Sequence, residues 1–143
     1  MALRAVWCVL LLFLVSASYA APGAGVTGEA ILGGWNPVDP ESKEVQDAAK
    51  KAVQEYNMKA NTPNYFRLIQ VLSAQSQVTS ELNYKITAII GETKCSKSQH
   101  EDPEKCELGE KRMQCDFHVT YSFLFVEPRV KMSCRPINVS LSD

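Results

Sequence analysis

The sequence contains few of the side chains and motifs that catalysis requires. Histidine occurs only twice, as His100 in a polar segment and as His118 in a strand-like segment. There is no Gly-x-Ser-x-Gly, no His-Glu-x-x-His and no glycine-rich phosphate loop. A Cys-x-x-Cys pair, the usual sign of a structural zinc site, is also missing. These absences predict a protein that is not an enzyme, has no metal and no cofactor, and acts by recognising a partner.

The chain also lacks an excess of charge of either sign. It has 15 Lys+Arg and 16 Asp+Glu, and only Arg4 lies in the first 20 residues, so the remainder has a net charge of 14 − 16 = −2. This balance gives no electrostatic reason to expect nucleic acid or an anionic membrane as a partner. After Ala20 the sequence contains no apolar run long enough to span a bilayer.

Residues 1–20 have the composition of a secretory signal peptide. Arg4 is followed by an apolar run from Ala5 to Val15 and by the small residues that end in Ser18-Tyr19-Ala20. The alternative is a membrane anchor, but the apolar run is too short to span comfortably. We therefore expect cleavage after Ala20 and a secreted, extracellular protein.

Cysteine is the reactive residue that the sequence does contain. Cys8 lies in the predicted signal peptide, and the four others are Cys95, Cys106, Cys115 and Cys134. An even number in an oxidising compartment predicts two disulfides and leaves no free catalytic thiol. Three pairings are open. The sequential pairing would close two short loops, each stabilising by about 3 kcal/mol in the chain-entropy estimate.

The spacing of apolar residues predicts one helix in the first half of the chain. Asp39-Pro40 is typical of a helix start, with an acid as N-cap and proline at the first helical position. Asn61-Thr62-Pro63-Asn64 is expected to end the helix. Between them, apolar residues recur at spacings of three and four: Val45, Ala49, Ala52, Val53 and Tyr56.

After the helix the apolar period changes to two, which indicates strands. We expect strands over residues 65–78, 82–90, 117–125 and 130–134. In the first strand, Phe66, Leu68 and Leu72 are expected on one face, with Ile69 and Val71 on the other. Residues 91–113 are polar, so we expect an irregular excursion there. One helix that covers the apolar faces of antiparallel strands is an α+β arrangement.

The polar segment Gln77 to Glu81 lies between the first two strands and is therefore predicted to be the tip of a β-hairpin. Such a tip is exposed, held by a rigid sheet, and able to enter a cleft. Two other exposed segments are expected at the same end. They are Ile31-Leu32 with Gly33-Gly34, and the connection around Ser122 to Phe125.

Five features of the sequence resemble the secreted type 2 cystatins, a family that inhibits papain-like cysteine proteases. They are Leu32-Gly33-Gly34, "AVQEYN" at 52–57, "AQSQV" at 74–78, Asn83-Tyr84, and the four ordered cysteines. The resemblance implies a long helix wrapped by a five-stranded antiparallel sheet, with the cysteines paired one–two and three–four. With it we expect a signal peptide at 1–20, a flexible arm at 21–30, a cystatin-like domain at 31–135 and a tail at 136–143.

The resemblance also implies an inhibitory wedge that plugs a protease cleft without being cut. Ile31 and Leu32 correspond to its N-terminal arm, and Gly33 to the hinge of that arm. The first hairpin tip corresponds to Gln77, Val78, Thr79, Ser80 and Glu81, and the second tip corresponds to Ser122 and Phe123. Thr79 and Glu81 depart from the family pattern Gln-x-Val-x-Gly, and the Pro-Trp of the second tip is absent.

These departures leave two functions open. The first is reversible, non-covalent inhibition of papain-like cysteine proteases, the cathepsins among them. The second is a cystatin-fold secreted protein that lacks protease inhibition and acts in defence or binding. We expect a monomer, and strand exchange at the first hairpin would give a dimer. Asn138-Val139-Ser140 is an acceptor triplet for N-glycosylation in a secreted chain.

Overall fold

The computed structural model describes residues 33–138, which form one helix and a five-stranded sheet. The elements are β1 (Asn36–Pro37), α1 (Lys43–Lys59), β2 (Asn64–Val78), β3 (Leu82–Ser96), β4 (Leu108–Tyr121) and β5 (Arg129–Ile137). All neighbouring strands are antiparallel, in the order β1-β2-β3-β4-β5. The predicted α+β class is confirmed. The predicted signal peptide, the arm and Ile31-Leu32 lie outside the described residues.

The helix begins later than the sequence predicts. Ser42 is the N-cap, and its side chain accepts a hydrogen bond from the Val45 amide. Asp39, the predicted N-cap, instead accepts a hydrogen bond from the Glu41 amide within a turn. An Asp side chain competes for nearby backbone amides in this way, which favours a local turn over helix initiation. The predicted end is confirmed, since the helix ends at Lys59.

The core lies between one face of α1 and one face of the sheet. The predicted stripe is buried in full, together with Ala48. Its alanines let the helix pack close to the apolar side chains of the sheet: Phe66, Tyr84, Ile86, Ala88, Ile90, Phe117 and Val119. The Asn57 amide also bridges to β2, accepting from the Phe66 N–H at 2.8 Å and donating to the Phe66 carbonyl at 2.9 Å. These bonds fix the direction in which the chain enters β2.

Three register shifts interrupt the pairing of β2 with β3, the first between Asn64 and Phe66, and the other two change the facing of apolar side chains. The pairing with β3 shifts register between Leu68 and Gln70 and again between Val71 and Ser73. The extra residues, Ile69 and Leu72, are exposed, whereas Val71 is buried. The expectations that Leu72 shares a face with Phe66 and that Val71 lies on the opposite face are therefore wrong. A bulge inserts one residue into the alternation and so reverses the phase of all residues that follow it.

The sequential disulfides Cys95–Cys106 and Cys115–Cys134 are both present. The second joins directly opposed residues of β4 and β5. The predicted excursion over residues 91–113 is wrong in extent, because β3 continues to Ser96 and β4 begins at Leu108. The polar residues at both ends of this segment are paired between β3 and β4. An antiparallel sheet can carry polar side chains on a face that is exposed to solvent. No helix within residues 33–138 is long and apolar enough to cross a membrane.

Candidate functional site

Three segments meet at one end of the sheet, which we call the loop edge. It consists of Gly33, the β2–β3 tip at residues 78–81 and the β4–β5 loop at residues 122–128. The Gln77 side chain donates to the Gly33 carbonyl at 3.0 Å, which holds the start of the domain against β2. Leu82, just after the first tip, pairs with Tyr121, the last residue of β4. The predicted grouping of Gly33 with the two tips is therefore present in the structure.

The first tip is a closed turn of three residues between the paired Val78 and Leu82. The Thr79 amide donates to the Glu81 carbonyl at 2.9 Å, and the Glu81 amide donates to the Thr79 hydroxyl at 3.3 Å. Glu81 does not adopt a positive φ, so the turn does not require the glycine that the family pattern has there. Val78 contributes the apolar surface of this tip, with 56% of it exposed.

Glu81 is paired with Arg129 at the start of β5. The Arg129 Nη2 donates to both carboxylate oxygens, at 2.8 and 2.9 Å. The charge that Glu81 brings to the tip is therefore balanced by a cation in the free protein. The pair also ties the β2–β3 hairpin to β5 across the end of β4, because Asn83, Thr120 and Arg129 are successive cross-strand neighbours.

The β4–β5 loop presents apolar side chains to solvent. Strand β4 ends at Tyr121, so the strand predicted to extend to residue 125 is shorter than expected. The exposed fractions of the next apolar residues are high: Phe123 98%, Leu124 86%, Phe125 59% and Val126 100%. A soluble surface seldom carries such a contiguous apolar group unless it binds something.

Ser122 and Phe123, both predicted site residues, have different roles in this loop. The Ser122 hydroxyl accepts from the Leu124 amide at 3.1 Å and so shapes the turn. Phe123 is the exposed member. The sequence analysis expected an exposed segment around Ser122 to Phe125 but assigned only Ser122 and Phe123 to the site, and it missed Val126, although a signal was available. Four apolar residues in succession do not alternate, and a half-buried strand requires alternation.

Aromatic and polar side chains brace the loop edge from below. Tyr84 and Tyr121 pack edge to face at 6.1 Å on the helix side of the sheet. Burial raises the pKa of both phenols, so they stay neutral. On the opposite side, the buried Asn83 Oδ1 accepts from the Thr120 hydroxyl at 2.7 Å. These contacts make the base of the two tips rigid.

Comparison with known proteins identifies the type of domain that carries this edge. The sequence profile described as "Cystatin domain" matches residues 33–122. The chain belongs to the cystatin family. The cystatin of Pseudechis porphyriacus is 35% identical over 114 residues, which covers 73% of this chain and 81% of that protein. The cystatin of Notechis scutatus scutatus is 34% identical over 136 residues, covering 88% and 94%.

Solved cystatins share the fold at lower sequence identity. The crystal structure of dimeric human cystatin F matches with a TM-score of 0.68 at 20% identity, covering 82% of this chain and 98% of that chain. The gut cystatin mialostatin of the tick Ixodes ricinus matches with a TM-score of 0.60, also at 20% identity, covering 73% and 100%. The resemblance to type 2 cystatins is thus confirmed, and family membership supports the general role of a cysteine protease inhibitor.

The match to the cystatin profile begins at Gly33, whose backbone has a positive φ. Gly33 has φ +82°, and among residues 33–138, its chain neighbour aside, no atom lies within 4 Å of the place where a Cβ would be. A side chain there would be strained by the backbone and not by crowding. Its predicted role as the hinge of the arm stays a prediction, because Ile31 and Leu32 lie outside the described residues.

Within residues 33–138, one group of side chains brings potential metal ligands together: Cys95, Glu101 and Cys106. Both of these cysteines are in a disulfide and so offer no thiolate to a metal. His100 lies in the turn region closed by that disulfide, and His118 lies in the last third of β4. The two histidines therefore belong to separate parts of the fold.

Proposed function

We propose that this chain is a secreted, reversible inhibitor of papain-like cysteine proteases that binds non-covalently through the loop edge. The arm at Ile31 and Leu32, the tip from Gln77 to Glu81 and the β4–β5 loop would enter the cleft together. One observation carries the proposal: four consecutive apolar side chains are exposed beside a rigid hairpin tip. Cathepsins are the proposed targets, and the proposed inhibitor is a monomer.

The two tips contribute differently to the proposed interface. The first tip offers exposed Thr79 and Ser80, and its Glu81 carboxylate is already bound by Arg129. The β4–β5 loop offers two phenylalanines, a leucine and a valine, each worth about 1.5–3 kcal/mol if fully buried. We therefore assign most of the apolar contact to the β4–β5 loop and an orienting role to the first tip.

The form of the tips explains how an inhibitor could avoid being cut. A protease cleaves an extended segment that can be drawn through its cleft. The first tip is instead a closed turn whose ends are paired within the sheet, and the base of the second is braced by the Tyr84–Tyr121 contact. Rigid tips also lose little conformational freedom on binding, which favours affinity.

The predicted glycosylation site is compatible with this mode of binding. Asn138 is exposed and follows the end of β5, whereas Arg129, at the loop edge, begins that strand. Eight steps along a strand separate Arg129 from Ile137 by about 27 Å. We propose that a glycan on Asn138 would project from the opposite end of the sheet and leave the loop edge free.

The test is a titration of papain and of several cathepsins with the chain secreted from eukaryotic cells. Inhibition at molar ratios near one that is reversed on dilution supports the proposal. Absence of inhibition of all these enzymes by a folded, disulfide-bonded chain would refute it. That outcome would instead favour the second function, a secreted cystatin-fold protein with a binding or defence role.

A further inference from the structure

A row of basic side chains crosses the outer face of the sheet, the face turned away from α1. Lys85 on β3, His118 on β4 and Lys131 on β5 are direct cross-strand neighbours. Over residues 33–138, neither lysine forms an ion pair with a carboxylate. The row therefore presents two lysine charges that no carboxylate of the described residues pairs with, and the Lys85 ammonium lies over the Trp35 ring.

This basic row lines a surface groove of about 650 Å³. Ligand sites commonly have volumes of about 300–1,000 Å³. Ser73, Gln75 and Ser133 offer side-chain hydrogen-bond donors around the lysines, whereas the Thr87 hydroxyl already donates to Asp116, whose carboxylate also lines the groove. Trp35 lies at one side, with the Lys85 Nζ 4.1 Å from the centre of its ring and the His118 ring edge-on at 5.7 Å. The groove thus combines positive charge, hydroxyl donors and one aromatic side chain.

The positive charge continues along β5. Val130 is buried, and Met132 and Cys134 pack against the core, so the alternate residues Arg129, Lys131 and Arg135 lie on the outer face. Arg129 is already paired with Glu81, so over residues 33–138 the β5 cations without a carboxylate partner are Lys131 and Arg135, which are four strand steps or about 13 Å apart. The chain as a whole has slightly more acidic than basic residues. These cations are therefore concentrated on one surface and do not reflect a basic protein.

We propose that this groove binds a linear sulfated polysaccharide. The cations are spread over a strip that is longer than a single anion and that crosses or follows the strands, which matches anionic groups repeated along an extended chain. A compact anion would contact only one pair of them. Hydroxyl and amide donors between the cations suit sulfate oxygens. The site lies on the outer face and does not depend on the proposed protease inhibition.

His118 couples this binding to pH. Burial lowers the pKa of His118, and Lys85 on β3 and Lys131 on β5 lower it further. The other groups that face the ring are Trp35 and the Asn83 Oδ1 at 3.3 Å. Asp116, two residues away on β4, accepts a hydrogen bond from the Thr87 hydroxyl at 2.8 Å. A sulfate between the lysines favours the protonated ring, so binding should tighten as the pH falls through the pKa of His118.

The probe is a heparin hexasaccharide of defined length, added to the secreted, disulfide-bonded chain at low salt. Trp35 fluorescence reports binding, because the other tryptophan, Trp7, lies in the predicted signal peptide. We expect saturable binding that the double substitution Lys85→Gln/Lys131→Gln weakens about tenfold. The control Lys43→Gln/Lys105→Gln removes the same charge elsewhere on the surface and should keep the wild-type affinity.

The pH dependence gives a second readout. His118→Gln should still bind at about pH 7.4 but lose the tightening that the wild type shows at about pH 5.5. If both double substitutions weakened hexasaccharide binding equally, the site would be overturned, because the binding would then depend only on the overall charge of the protein. An identical Trp35 response to inorganic sulfate, with no added affinity for the hexasaccharide, would overturn the polysaccharide assignment. Equally tight binding of poly-glutamate would overturn the preference for sulfate.

Discussion

Phe123 is the side chain whose removal tests the β4–β5 loop most directly. It is 98% exposed, so almost none of its apolar surface stabilises the free domain and nearly all of it is available for burial against a partner. Full burial of a phenylalanine is worth about 1.5–3 kcal/mol. Phe123→Ala should therefore weaken protease inhibition about 10- to 150-fold while leaving the free energy of unfolding unchanged.

The assay is a tight-binding titration of a papain-like enzyme, with thermal unfolding of the inhibitor measured in parallel. Met58→Ala is the matched control, since Met58 is 71% exposed. It lies near the helix end that Lys97 binds through the Ala60 carbonyl, away from the loop edge. Unchanged inhibition by Phe123→Ala, or an equal loss in Met58→Ala, would refute the role of the loop. A lowered Tm of Phe123→Ala would refute the claim that Phe123 does not stabilise the free domain.

Three further predictions follow from single contacts. Glu81→Gln and Arg129→Gln, made separately and together, should show a coupling of about 0.2–1 kcal/mol in urea unfolding, and strict additivity would mean that the pair is not formed in solution. Gly33→Trp, at a backbone with φ +82°, should weaken inhibition, whereas wild-type inhibition would show that the arm is passive. Burial and two neighbouring lysines lower the pKa of His118 in the folded protein. The free energy of unfolding should therefore be highest above pH 6.5, the ordinary pKa of histidine, and should fall as the pH drops through the lower pKa of the folded state. His118→Gln should remove this part of the pH dependence of the Tm, and an unaltered profile would contradict the assignment.

The regular parts of the fold could be predicted because they depend on local periodicity. The stripe from Val45 to Tyr56 predicted the helix and its buried face, and alternation predicted the strands. The irregular points could not be found in this way. The bulges at Ile69 and Leu72 are set by pairing with β3 and by the twist of the sheet. The helix has Ser42 as its N-cap and not the predicted Asp39, because the Asp39 side chain closes a turn with Glu41. Which of the two residues caps the helix depends on the backbone geometry.

In the candidate site, too, the features that depend on local sequence could be predicted, and those that depend on contacts between distant residues could not. Its positions in the first tip followed from a short motif, but the partner of Glu81 did not. Arg129 lies 48 residues further along the chain, and the contact exists only because three strands align in one register. Residues up to Phe125 were assigned to a strand because apolar residues alternate from Phe117 to Phe125. Exposure of Phe123 and Val126 distinguishes the loop, and exposure is a property of the folded chain.

The Cys115–Cys134 disulfide has a consequence for the lifetime of the protein. It joins β4 to β5 on either side of the exposed loop, so the loop is a covalently closed segment. An endoprotease that cuts between Phe123 and Val126 would leave two fragments still joined by sulfur and still paired along the β4–β5 ladder. The first tip, the helix and the basic outer face would survive the cut. A nicked chain would run as one species on a non-reducing gel and as two after reduction.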